Sequence, residues 1–189
     1  MFANDPGVFA ANLFILSPDD KTAYAPARNR AIGPDVMDRI IAVDLNTGAP
    51  KVICTLPATG PVALRISPDG RTIAIARLDP KTDQIHIARV AIDGSDYREL
   101  HAAYAGSSNG RMAWTHDGRG ILFVQGSAND SNHQLMRLPA DGGKPEFTGL
   151  EANGWQNISV SPDGLRIAYS IRSGNSELWA MDNVLQALK

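Results

Sequence analysis

"ISPDGRTIAIAR", residues Ile66 to Arg77, decides the fold, because its Ser-Pro-Asp-Gly corner recurs. "LSPDDKTAYAPAR" begins at Leu16, "WTHDGRGILFVQG" at Trp114 and "VSPDGLRIAYSIR" at Val160. Aligned on Ser17, Ser67, Thr115 and Ser161, the copies lie 50, 48 and 46 residues apart. A catalytic motif is needed once, whereas a structural corner returns with its unit, so the chain reads as an array.

Around the second corner the unit can be followed strand by strand. "PVALRIS" is a short apolar strand. Pro68 sets φ for the second turn position, Asp69 suits the third, and Gly70 accepts the left-handed conformation that closes a hairpin. "TIAIAR" returns, "QIHIARVAI" follows after a polar loop, and "YRELHA" comes after the turn "DGSD". The other units repeat the order, with third strands "DRIIAVDL", "HQLMRLPA" and "SELWAMDN" and fourth strands "KVICTL" and "PEFTGL". Each unit is thus expected to be an antiparallel four-strand meander.

The strands are apolar on both faces. In "TIAIA", large Ile73 and Ile75 alternate with Ala74 and Ala76, not with charges. A sheet wet on one side would alternate apolar with polar residues. Sheets that need a neighbour on each face, repeated every 46 to 50 residues, predict an all-β fold, a β-propeller of four-stranded antiparallel blades. The blades are expected at about 11–57, 61–102, 109–150 and 155–182.

Repeats of the form apolar-Ser-Pro-Asp-Gly-basic-x-Ile-Ala resemble the WD-repeat-like units of bacterial TolB-type β-propellers, and "MAWTHDGRGILFV" is close to their Trp-Ser-Pro-Asp-Gly form. The resemblance covers residues 11 to 182. It implies a six-bladed propeller of which this chain carries four blades, a periplasmic location, and an envelope lipoprotein as partner. The chain departs from that pattern in its blade number and in the last unit, where "DNVLQALK" reads as a tail and not as a fourth strand. An open arc would leave an apolar sheet face at each end and invite self-association. Alternatively, residues 1 to 10 would supply the missing strand and close a four-bladed ring.

Composition narrows the function classes. With 18 basic and 20 acidic residues scattered along the chain, the net charge is −2, and no basic stripe points to nucleic acid. No apolar run reaches membrane-spanning length, and the N-terminus lacks the basic and apolar regions of a secretory signal. Cys54 is the only cysteine, so no internal disulfide forms.

The apparent catalytic motifs do not hold. "GSSNG" matches a nucleophile elbow around Ser108, but that elbow requires a buried strand before it and a helix after it. Here "AAYA" precedes and a propeller strand follows, so Ser108 reads as a loop residue. Asp69 and Gly70 are adjacent, unlike the spaced pair of a sialidase Asp-box. His86, His101, His116 and His133 are too scattered for a metal signature, and "NDSNH" and "DLNTG" lack the terminal Glu of a calcium loop. No cofactor, metal or catalytic constellation is expected.

Function is then expected in loops held by the scaffold. The rim opposite the corners holds "NRAIGPDVMD", "GSANDSNH", "AAYAGSSN" and "GLEANGW", with Arg30, Tyr104, Arg111, His133 and Trp155 as contact-type residues. The reading is a non-catalytic module engaging a protein or peptide through that rim. The alternatives are the sensory propeller of a larger bacterial regulator or kinase, and the accessory propeller of a prolyl-oligopeptidase-like hydrolase.

Overall fold

The computed structural model describes residues 13–28, 37–56, 61–79, 81–104, 111–127, 130–173 and 175–182. Fifteen strands form four antiparallel sheets among them. The first sheet is β1 (Ile15–Leu16), β2 (Thr22–Arg28), β3 (Met37–Asp44) and β4 (Pro50–Thr55). The second is β5 (Pro61–Ile66), β6 (Thr72–Asp79), β7 (Gln84–Ala91) and β8 (Arg98–Tyr104). The third is β9 (Met112–Trp114), β10 (Gly120–Ser127), β11 (Asp130–Pro139) and β12 (Glu146–Ala152). The fourth is β13 (Trp155–Val160), β14 (Arg166–Ser173) and β15 (Asn175–Asp182), three-stranded among the described residues. Sheet order equals chain order throughout, which is the meander read from the sequence.

The corners use one hydrogen-bond plan. The amides of Asp20, Gly70, Gly118 and Gly164 donate to the carbonyls of Ser17, Ser67, Thr115 and Ser161 at 2.9–3.0 Å. These four residues have φ of 55°, 72°, 66° and 71°, so the predicted left-handed position is present in every unit. Ser67 Oγ donates to Asp69 Oδ1 at 2.6 Å and accepts the Thr72 amide at 3.0 Å. Asp69 Oδ1 also accepts the Arg71 amide at 3.0 Å. Ser17–Asp19, Thr115–Asp117 and Ser161–Asp163 repeat the hydroxyl-to-carboxylate bond.

Double-sided burial explains the apolar strands. Leu64, Ile73 and Ile75 of the second sheet share one cluster with Tyr24, Ile40 and Ile53 of the first. Ala74 and Ala76, on the opposite face, share another with Met112, Ile121 and Phe123 of the third. Leu122, Val124 and Leu135 then meet Trp155, Ile158 and Ile167 of the fourth. Small residues on one blade make room for Phe123 on the next, as close packing requires. The innermost strands follow in series, β1 beside β5, β5 beside β9, and β9 beside β13. Among the described residues β13 has no comparable contact with β1, so the blades form an arc. Residues 1 to 10 and "NVLQALK", on which ring closure would turn, lie outside the described residues.

Three boundaries differ from the sequence reading. β8 runs to Tyr104, β11 starts at Asp130 and β12 runs to Ala152, so much of "AAYA", "NDSNH" and "GLEA" is strand and not loop. The cause is pairing: Gln84 sits opposite Tyr104, Ser127 opposite Asp130 and His133 opposite Ala152, and each ladder continues despite polar sequence.

Candidate functional site

The two rims differ in how their polar groups are used. At the corner rim, a cleft of about 510 Å³ opens between the second and third blades, lined in part by Ser67, Asp69, Arg89, His116, Asp117 and Asp141. Its composition suggests chemistry, but its carboxylates and Arg89 are already committed. The Ser67 hydroxyl and the Arg71 amide hold the Asp69 carboxyl below its ordinary value. At Asp117 burial pushes upward, yet Thr115 and the Arg119 amide leave the carboxyl low. A carboxylate held low is a weak base, and a hydroxyl already donating to it is not activated for attack. Arg89 is spent on ion pairs to Asp96 at 2.9 Å and Asp141 at 2.8 Å.

At the opposite rim the expected contact residues divide. Tyr104 ends β8 and is 40% exposed. Its hydroxyl donates to Asp83, whose charge and hydrogen bond raise the phenol above its ordinary value. Asp83 sits at φ 51°, in the tight turn joining β6 to β7. Arg111 is half-buried just before β9, and its Nε donates to the Gln156 carbonyl at 2.8 Å. Burial lowers its guanidinium from the ordinary value.

His133 and Trp155 are packed, not presented. Trp155 is 2% exposed, donates its indole N–H to the His133 carbonyl at 3.0 Å, and packs against Tyr169 with ring centroids 4.9 Å apart and planes inclined at 38°. His133 is 8% exposed. Together they tie β11 to β13, so Arg111, His133 and Trp155 meet at the junction of the third and fourth blades. Tyr104 stands with Asp83 in the second. Arg30 lies outside the described residues, as does Ser108.

Sequence reasoning missed two features. One is Asp83, passed over as part of a polar loop. The other is a charge network within the second blade, on the face turned towards the first. Arg77, with a side chain 4% exposed, pairs with Glu99 at 2.7 Å, and Glu99 also meets His86 Nδ1 at 2.9 Å. The signal was present: period two puts Arg77 on the same buried face as Ile73 and Ile75. Among the described residues no group of three or more His, Cys, Asp or Glu could hold a metal ion, and no helix is long and apolar enough to cross a membrane.

No family model matches the chain, and no curated protein matches it. Solved structures do. TolB from Acinetobacter baumannii superposes with a TM-score of 0.69 at 18% identity, over 95% of this chain and 41% of that one. Hydrazine synthase from Kuenenia stuttgartiensis gives 0.70 at 20% identity, over 93% of this chain and 53% of that one. A chain of a nidogen/laminin complex gives 0.64 at 16% identity, over 92% of this chain and 60% of that one. The chain therefore spans between 41% and 60% of the length of these structures. One scaffold serves an enzyme in one case and a protein complex in another, so likeness at this identity speaks to fold alone. By the arrangement of its sheets and by this likeness, the chain is a TolB-like β-propeller in fold.

Proposed function

We propose that this chain is a non-catalytic binding module that engages a protein or peptide through the rim opposite its corners, as four blades of a larger, six-bladed propeller. The observation that carries the reading is the asymmetry of the rims. Corner carboxylates such as Asp69 are consumed by their own turns, whereas Tyr104 presents an exposed phenol and Arg111 a partly exposed guanidinium. Tyrosine and arginine are the residue types that dominate binding energy at protein interfaces. Asp83 fixes the Tyr104 hydroxyl, and the Gln156 carbonyl fixes Arg111, so less side-chain freedom is lost on binding. Trp155 and His133 support this rim by holding two blades in register.

A photo-crosslinking amino acid placed at Tyr104 or at Arg111 tests the proposal, with Leu45, 49% exposed in the β3–β4 turn of the corner rim, as the comparison. In extracts of the source cells, adducts to one defined protein are expected from Tyr104 and Arg111 and not from Leu45. With that protein in hand, Tyr104→Ala combined with Arg111→Ala should weaken binding by about tenfold or more, a loss of about 1.4 kcal/mol. Adducts confined to Leu45 would move the site to the corner rim and refute the proposal.

A further inference from the structure

Arg65 is half-buried on β5, the innermost strand of the second blade, and pairs with no carboxylate among the described residues. Arg77 and Arg89 of the same blade both do. Period two along β5 turns Leu64 towards the first blade and Ala63 towards the third, so Arg65 shares the third-blade face with Ala63. Its side-chain hydrogen bond runs from Nη1 to the Leu64 carbonyl at 2.8 Å, within its own strand. The Nε–Nη2 edge is left over, and neither of these nitrogens is closed off from solvent. That edge is the planar fork that takes a carboxylate through two parallel bonds. Burial lowers the guanidinium from its ordinary value, and no carboxylate acts against that.

The side chain lines a cleft of about 350 Å³ on the axial side of the corners, where β5, β9 and β13 run side by side. All four blades contribute, with Pro18 from the first, Arg65 and Pro68 from the second, Trp114 from the third, and Ile158 and Val160 from the fourth. The cleft meets the larger corner cleft at Pro68 and Trp114 but has none of its carboxylates. Among the described residues Arg65 is therefore the only charge on its walls. An apolar hollow with one oriented charge is the ordinary form of a small-ligand site. We propose that this cleft binds a small organic acid, its carboxylate on the Nε–Nη2 edge of Arg65 and its apolar body against Pro68, Trp114 and Ile158. The volume suits a single ring or a short chain. The site uses neither end face of the arc, so further blades would leave these walls in place.

NMR of the full 189-residue chain, titrated with sodium benzoate or with benzamide at matched salt, tests this. Benzoate should shift the Trp114 indole N–H and the Ala113 amide saturably, with a Kd of about 10 mM or tighter. Benzamide has the same shape without the charge, and it should bind at least about tenfold more weakly. Arg65→Gln should weaken benzoate by about the same factor, with the dispersion of the spectrum kept. Equal binding of benzoate and benzamide by the parent would overturn the proposal without need of any variant. So would full benzoate affinity in a folded Arg65→Gln, or no saturable shift at Trp114. Tighter binding by an acetylated tripeptide amide with a central glutamate would assign the cleft to a protein chain, and would overturn it too.

Discussion

At the scale of single residues, the corner is a small machine for reversing a strand, and its parts can be costed. Gly70, Gly118 and Gly164 share nearly the same φ, so an alanine at any of them meets about the same backbone strain, roughly 1 kcal/mol. What differs is the neighbour. Gly70→Ala and Gly164→Ala must also displace Pro18 or His116, whereas Gly118→Ala reaches Pro68 at an ordinary 3.9 Å. Urea melts should rank Gly118→Ala as the mildest of the three, with Asp20→Gly neutral or stabilising. Equal losses at all three would mean the blades do not press on one another at the corners. The corner carboxylates make a second prediction. The Ser67 hydroxyl and Arg71 amide depress the Asp69 pKa below the ordinary 3.8, so Asp69 stabilises the fold fully above that value. This contribution disappears as pH falls from there through the lower folded pKa. Asp69→Asn keeps the acceptor oxygen and removes the charge. Its stability should therefore fall short of the parent's near about pH 6 and approach it near about pH 3. A deficit that is the same at both would assign the loss to packing.

At the scale of elements, blade faces carry the energy. Phe123 is 1% exposed and packs in the cluster that holds Ala74 and Ala76 of the preceding blade. Two alanines on a paired backbone cannot close over the gap, so Phe123→Ala should cost about 3–5 kcal/mol by denaturant titration. A cost below about 1 kcal/mol would show that the blades separate easily. Trp114 adds a directional link, donating its indole N–H to the Arg65 carbonyl of the neighbouring blade at 2.9 Å, and Trp114→Phe should cost about 1–2 kcal/mol. This scale is also where the sequence was most and least legible. Strand order and sheet stacking were readable because Ile73, Ala74, Ile75 and Ala76 cannot all be buried unless both faces are covered. Strand ends were not, because Tyr104 and His133 continue ladders that polar composition argues against. Trp155 looked like a contact residue because tryptophan near a loop is equally at home in an interface or a core. Its indole bond to the His133 carbonyl, which decides the matter, joins residues 22 apart.

At the scale of the whole molecule, the account rests on an arc whose first and last blades do not meet. Each corner ends in an exposed residue whose amide donates to the corner carboxylate: Lys21, Arg71, Arg119 and Leu165. The recurring basic residue seen in the sequence slips by one position in the last unit, where Leu165 takes its place and Arg166 opens β14. These four positions are equivalent, which makes them suitable for measuring the shape of the arc. With Cys54→Ser as background, spin labels can be placed in pairs on cysteines at the corners. Pulsed-EPR distances would then compare Lys21 with Arg71, Arg71 with Arg119, and Lys21 with Leu165. An open arc predicts near-equal distances for the two neighbouring pairs and a clearly longer one for the first and last corners. A Lys21–Leu165 distance equal to the Lys21–Arg71 distance would mean that four blades close a ring, contradicting the arc and the larger propeller proposed from it.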